Sequence, residues 1–245
     1  MLSIIIPTLN EEDLLPKLLR SIKRQRFSDY EIIIADADST DGTKEIAKKF
    51  GAKLVKGGLP AVGRNQGAKA AKGDLLLFLD ADVVLPDMFL EKMVKEFERR
   101  NLGVASILIA PQTSKKKIKL FFDYFYNYPV KKLEKFFPYG MMACLIKKNL
   151  HEKIKGFDER IKLAEDIDYL RRAAKFGKFG VLREIKISFS LRRFYQDGWA
   201  KVILKYAILG QLHHHLLGPI KSDIFNYKFA HYKGKDHKSV DKTIH

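Results

Sequence analysis

The chain has 245 residues, 46% hydrophobic and 31% charged, with 46 Lys and Arg against 29 Asp and Glu and a formal net charge of +17. That balance is ordinary for a globular protein, and the length suits one α/β domain with an appendage or two small domains. The single Cys144 excludes an internal disulfide framework and a cysteine-based zinc site, while the charge favours anionic partners such as nucleotides, lipid headgroups or nucleic acid.

Residues 3–7 (Ser-Ile-Ile-Ile-Pro) read as a first buried strand, closed by a proline that cannot donate to a ladder. Met1-Leu2-Ser3 runs straight into it, so no secretory leader is expected and a cytoplasmic location is. Thr8 to Glu12 form a loop in which Asn10 can cap the next helix, whose apolar positions are Leu14, Leu15, Leu18, Leu19 and Ile22. Residues 31–35 are a second strand, ending in Asp36-Ala37-Asp38-Ser39. A helix over 43–50 stops at Gly51, residues 53–56 are a short strand, and 62–72 form an Ala-rich helix able to pack closely on a sheet. The fourth strand, 75–79, is five apolar residues long, as suits burial on both faces, and ends abruptly in Asp80-Ala81-Asp82. Pro86 starts a helix with Phe89, Met93, Val94 and Phe97 on one side, and 103–110 form another strand. Strands alternating with helices predict a parallel, three-layer sheet.

The texture changes after Gln112. Residues 112–163 carry thirteen Lys or Arg against five Asp or Glu, and 121–139 hold nine aromatic side chains. Aromatics at helical spacing read first as core; the competing reading is an amphipathic surface whose rings and cations meet a lipid interface. Residues 140–146 are strand-like, and Gly156-Phe157-Asp158-Glu159 reads as a turn. Glu165-Asp166 opens an amphipathic helix through Lys175, with Ile167, Leu170 and Ala174 inward. Residues 181–189 form a last strand, Arg192-Arg193 follow, and 199–217 read as a C-terminal helix before a Lys-rich tail from Ser222. The uncharged stretch 206–220 is too short to span a bilayer. Its His213, His214 and His215 point in different directions on a helix, so they read as a partly exposed face and not as a metal site.

Three acidic clusters each follow an apolar run or open a helix: Asp36 with Asp38, Asp80 with Asp82, and Glu165 with Asp166. A parallel sheet brings the first two to one edge, where open α/β sheets bind ligands. Asp80 and Asp82 repel each other unless a cation or donors sit between them. Hard oxygen ligands at one or two positions suit Mg²⁺ or Mn²⁺, with substrate phosphates completing the shell. Arg64 and Asn65 open a helix near the same edge, where Arg64 can pair with carboxylates or approach an anion. The plainer readings stand beside these: a solvated turn at 80–82, dipole partners at 165–166, and a helix-start salt bridge at Arg64.

The ordered set Ser-Ile-Ile-Ile-Pro-Thr-Leu-Asn-Glu-Glu, Ile-Ile-Ile-Ala-Asp-Ala-Asp-Ser-Thr-Asp-Gly-Thr, Arg-Asn-Gln-Gly, Asp-Ala-Asp, Gly-Phe-Asp-Glu and Glu-Asp-Ile-Asp resembles family 2 glycosyltransferases with the GT-A fold, over residues 1 to about 190. The resemblance implies an α/β, three-layer α/β/α, Rossmann-like and mostly parallel sheet with a basic, aromatic C-terminal helical appendage. It divides the chain into a catalytic domain over 1–190 (a nucleotide-sugar half, 1–110, and an acceptor half, 111–190) and an extension over 191–245. Thr8 and Glu11 would line the nucleoside pocket and Asp36 would bond the base. Asp80 would contact the ribose and the metal, and Asp82 would ligate the divalent cation at the donor's diphosphate. Asp166 matches the general base of inverting members, Gly140 a small residue on the acceptor side, and Arg192 or Arg193 a basic residue over the diphosphate. Where the family often has Asp-Asp-Gly-Ser, this chain has Asp36-Ala37-Asp38-Ser39, which leaves base recognition to Asp36.

The implied activity is inverting, metal-dependent transfer from a nucleoside-diphospho-sugar, UDP favoured over GDP, to a hydroxyl or a polyprenyl-phosphate or other lipid-linked acceptor. Peripheral contact with an anionic leaflet fits the charge. The rival reading is a basic nucleic-acid- or membrane-surface-binding module without catalysis, which leaves the acidic clusters unexplained, since they would repel phosphate. A sugar-phosphate nucleotidyltransferase is disfavoured because no Gly-rich, Arg- and Lys-containing loop follows the first strand.

Overall fold

Four strands that are almost wholly apolar build the centre of the sheet. In the computed structural model, which describes residues 1–203 except 141 and 162, together with Gly218, β1 (Leu2–Thr8), β2 (Tyr30–Asp36), β3 (Lys53–Lys56) and β4 (Leu75–Leu79) are parallel. Every residue of β1 is buried, as a strand covered on both faces must be. The connections are α1 (Leu15–Lys23), α2 (Thr43–Lys49) and α3 (Pro60–Ala70). Alternation along β1 sends Ile4 and Ile6 into one core with Leu15, Leu18 and Ile22 of α1. Ile5 goes to the other face with Ala61 and Ala68 of α3. A Cβ on Gly67 would lie 2.3 Å from Ile5 Cγ2, so glycine is what allows α3 to lie against β1. Asn10 does not cap α1: the helix starts after Leu14 with Pro16 in its first turn, and Asn10, at φ 55°, instead accepts from Thr40 N.

The second half completes the layers. It comprises β5 (Val83–Val84), α4 (Phe89–Arg99), β6 (Val104–Pro111), α5 (Lys116–Phe122), a π-helical turn (Asp123–Asn127) and α6 (Tyr128–Lys132). After these come β7 (Ala143–Lys147), α7 (Lys148–Lys153), α8 (Glu165–Ala174), β8 (Phe179–Phe189), α9 (Arg192–Asp197) and α10 (Trp199–Val202). Strand order is β3-β2-β1-β4-β7-β6-β8-β5. Only β7 and β5 run against the rest, so the sheet is mostly parallel. Because β7 is reversed, its N-terminal end joins the C-terminal ends of β1, β2 and β4 at one edge.

Several expectations shift. The strand expected over 140–146 begins at Ala143, and the two-residue β5 was not expected. β8 starts at Phe179 and slips register between its pairs Ile107↔Leu182 and Leu108↔Lys186. Glu96, buried on α4, fills that slip: its carboxylate accepts from Arg183 N at 2.9 Å and Glu184 N at 3.0 Å. The core reading of the aromatic segment is overturned for Tyr124, Phe125, Tyr128, Phe136 and Phe137, all exposed; of the nine rings only Phe122 is buried. The helix expected over 199–217 starts at Trp199. Its continuation from 204 to 217, with His213–His215, lies outside the described residues, as does the tail from Ser222.

Candidate active site

The register Thr8↔Asp36 ends β1 and β2 side by side. Thr8 Oγ1 donates to Asp36 Oδ2 at 3.0 Å; Ser39 N donates to Oδ1 at 2.9 Å and Ser39 Oγ to Oδ2 at 2.5 Å. Lys44 Nζ stands 3.7 Å from the same carboxylate. Asp36 therefore shapes the loop after β2, and a base would have to share it with Thr8 and Ser39. Asp38 is exposed, at φ 61°, so the first expected acidic cluster has one buried member. The loops after β1 and β2 brace each other through Glu11 N to Thr43 Oγ1 (2.8 Å) and Asn10 N to Ser39 Oγ (2.9 Å).

Beside this floor stands Arg64, whose guanidinium is buried. Its Nη2 donates to Asp80 Oδ1 at 2.8 Å and its Nη1 to Glu165 Oε1 at 2.6 Å, while the group lies 5.4 Å from the Phe157 ring centre. Burial by itself would depress the Arg64 pKa; the charges of Asp80, Glu165 and Asp166 outweigh it and raise the pKa. Asn65, next on α3, brackets the turn at 156–159 by donating to Phe157 O at 2.9 Å and accepting from Phe157 N at 2.8 Å. The Gly-Phe-Asp-Glu motif thus works as a prop that sets Phe157 under Arg64, with Gly156 at φ 68° making the bend.

The remaining acids surround that pair. Burial and the Asp80 charge push Asp82 up to about 6, with Arg193 and Arg192 pulling the other way. Burial raises Glu11 to about 7 against the pull of Arg192, with Asp82 and Asp80 adding to the rise. Asp166 is raised to about 7 by burial and then by Glu165. Arg192 Nη2, on α9, donates to Glu11 Oε1 at 3.1 Å. Asp80, Asp82, Glu11, Glu165 and Asp166 thus share one edge of the sheet with Arg64, Arg192 and Arg193, and Thr8 and Asp36 form the adjoining floor. Gly140 packs where a Cβ would lie 2.4 Å from that of Ser106, and with Arg64, Phe78, Cys144, Asp166 and Tyr169 it lines a small cavity. A separate cleft of about 730 Å³ opens at the opposite sheet edge, lined by Met1, Asp74 and Lys147 among others, and holds none of these groups.

Among the described residues, no three His, Cys, Asp or Glu side chains converge as a ready-made metal cage. The donor set nevertheless fits a hard cation held partly by substrate: Asp80 spends one oxygen on Arg64, and Asp82 is a half-buried carboxyl crowded by a like charge. One or two carboxylates with phosphate oxygens and water is the usual Mg²⁺ arrangement. The sequence singled out Glu165 without giving it a role. The Arg192–Glu11 pair was missed because it joins residues 181 apart.

Residues 3–154 match the family model described as Glycosyl transferase family 2. The chain belongs to this family. A 4,4'-diaponeurosporenoate glycosyltransferase of Staphylococcus haemolyticus is 38% identical over 117 residues, covering 43% of this family 2 chain and 31% of that relative. The structure of S. aureus TarS 1–349 with UDP-GlcNAc matches at TM-score 0.62 and 22% identity, covering 77% of this chain and 58% of that one. The mannosyltransferase PcManGT of Pyrobaculum calidifontis, solved with GDP-Man and Mn²⁺, matches at TM-score 0.63 and 21% identity, covering 76% and 56%. The family 2 chain therefore spans only part of the length of the relatives it resembles. Its mixed eight-stranded sheet with helices on both faces is the GT-A fold. Among the described residues no helix is long and apolar enough to cross a membrane.

Proposed function

We propose that this chain is an inverting glycosyltransferase. It moves a sugar from a nucleoside-diphospho-sugar, UDP before GDP, to a hydroxyl or a polyprenyl-phosphate or other lipid-linked acceptor with Mg²⁺ or Mn²⁺, at the cytoplasmic surface of an anionic membrane. The observation that supports it best is the Arg64 fork in a family 2 chain: one guanidinium ties Asp80 to Glu165 and so joins the Asp80-Ala81-Asp82 edge to the start of α8. We take 1–110 as the donor half, 111–190 as the acceptor half and 191–245 as an extension that brings Arg192 and Arg193 over the diphosphate.

In this reading the nucleoside lies on the Thr8, Glu11 and Asp36 floor. Asp80, oriented by Arg64, faces the ribose, and Asp80 with Asp82 would hold the cation. When bound, the cation neutralises charge gathering on the leaving diphosphate. Arg192 and Arg193 add fixed positive charge at the same place. Opposite them, Asp166 takes the proton of an acceptor hydroxyl as its oxygen bonds to the anomeric carbon and the bond to phosphate breaks, the electron pair leaving with the diphosphate. A phosphate acceptor arrives ionised and leaves Asp166 only a positioning role.

Asp82→Ala should abolish metal-dependent nucleotide binding while keeping the fold. Calorimetry of UDP and GDP with Mn²⁺, beside circular dichroism of the variant, checks this; unchanged binding would remove Asp82 from the metal site.

A further inference from the structure

The segment between β6 and β7 combines firm anchoring behind with apolar exposure in front. Behind, Phe122 packs edge-on to Phe189 with ring centres 5.0 Å apart and to Phe194 at 5.5 Å, and Val130 joins Leu108 and Val181 in a small core. The Asn127 side chain donates to Ile109 O at 2.8 Å and accepts from Ile109 N at 3.0 Å. In front, Tyr124 is 69% exposed, Phe125 65% and Phe136 74%, with Leu120, Tyr128 and Leu133 also open to solvent. The rings form a continuous ladder: Phe121 to Phe125 at 4.9 Å, Phe125 to Tyr124 at 5.1 Å, and Tyr124 stacked on Tyr128 at 6.3 Å. Soluble proteins rarely expose a contiguous apolar patch of this extent, and larger ones mark surfaces that meet a partner or a membrane.

Charge selects the occupant. Lys115, Lys116, Lys117, Lys119, Lys132 and Lys135 are exposed along the same segment. The only two acids between residues 113 and 139 are neutralised: Asp123 by Lys186, and Glu134 by Arg100 at 3.0 Å and Arg183 at 3.1 Å. Rings and leucines rimmed by lysines match the headgroup boundary of an anionic bilayer, where aromatic bodies sink and ammonium groups stay among phosphates. Single-stranded nucleic acid would use the rings and lysines but gains little from Leu120 and Leu133.

Both ends of the segment enter the site. At the start, Phe122 rests on α9, which carries Arg192 to Glu11. At the far end, Gly140 lines the Asp166 cavity, and Met142 O accepts from Asp80 N at 3.0 Å. We infer that residues 115–137 seat this chain on an anionic lipid bilayer and hold the Asp166 side of the site against it, so that the acceptor is a lipid-linked one taken from the membrane surface. The orientation and the acceptor rest on the transferase reading above; the docking does not.

The test is flotation of the full chain with vesicles of equal phosphatidylcholine and phosphatidylglycerol, and with phosphatidylcholine alone, at low salt. The wild type should float only with the anionic vesicles. The triple variant Tyr124→Ser, Phe125→Ser, Tyr128→Ser should lose about tenfold or more in partitioning, with calorimetric UDP and Mn²⁺ binding unchanged as proof of an intact donor site. Equal flotation of wild type and variant would overturn the docking. So would no enrichment of the wild type, or tight binding of a single-stranded RNA that protects these rings from proteolysis in place of lipid. Flotation with no nucleotide binding by the wild type would instead sink the transferase reading and leave docking standing. With both intact, transfer to a vesicle-borne acceptor should fall in the triple variant while transfer to a short water-soluble analogue does not; equal loss on both would refute the orientation.

Discussion

At the residue scale, Asp166 carries the sharpest chemical claim. Its backbone is fixed by its place in the first turn of α8, and Ile167 N donates to its Oδ1 at 2.9 Å, so an amide in its place keeps the shape and loses the base. Asp166→Asn should cut transfer to a hydroxyl about 10²–10⁴-fold, the usual worth of a positioned base, with nucleotide binding retained. Steady-state transfer assays beside calorimetry read both quantities. Substantial residual turnover to the hydroxyl with intact donor binding would remove Asp166 from the general-base role. The acids were legible because each ends an apolar run or opens a helix, and a parallel start to the sheet sends such ends to one edge. Their partners were not. Arg64 meets Glu165 across 101 residues and Arg192 meets Glu11 across 181, contacts that exist only once β7 is inserted between β4 and β6. Asn10 shows the reverse error: a polar residue before a helix reads as a cap, yet here it braces a loop from the next strand.

At the element scale, the free edge of β6 explains the π-helical turn. β7 pairs with β6 only from Val104 to Ser106, so the far end of β6 would leave backbone groups without a ladder partner on that side. The Asn127 side chain supplies both missing partners at Ile109. The wider turn at 123–127 brings Asn127 inward while Tyr124 and Phe125 face out. Asn127→Ala should therefore cost about 2–6 kcal/mol, roughly 1–3 for each of the two buried backbone groups left unpaired, seen as a lower urea midpoint. A loss below about 0.5 kcal/mol would show that water replaces the amide at no great cost. None of this could be read from the chain order: an Asn among aromatics carries no period, and a π turn breaks the helical spacing that made those aromatics look like core. The two residues of β5 and the Glu96-filled slip in β8 were hidden for a similar reason, being set by a partner strand or helix and not by local pattern.

At the scale of the whole molecule, folding stability should record a buried histidine propping the site from below. His151 Nδ1 lies 2.6 Å from Tyr169 Oη, and Tyr169 stacks on Phe157 at 3.7 Å, the ring that underlies Arg64. Burial, helped by the charges of Arg172 and Lys148, drives the His151 pKa down from 6.5 to about 4. The folded chain thus binds fewer protons than the unfolded chain between those two values. The stability tied to neutral His151 is complete above pH 6.5 and drains away as the pH falls toward 4. At 1.36 kcal/mol per pKa unit this amounts to about 3 kcal/mol. Glu11, Asp82 and Asp166, raised to about 6 or 7, act in the opposite sense: their contribution is present at acid pH and is lost as pH rises through those values. The wild-type curve alone would mix the two. His151→Gln keeps the three acids and removes the one titration, so the stability difference between wild type and variant isolates it. Urea unfolding of both proteins from pH 7 down to 4 should show the wild type's advantage shrinking by about 3 kcal/mol across that window. Parallel curves would mean that His151 is protonated as easily folded as unfolded, and that the prop beneath Arg64 is held by packing alone.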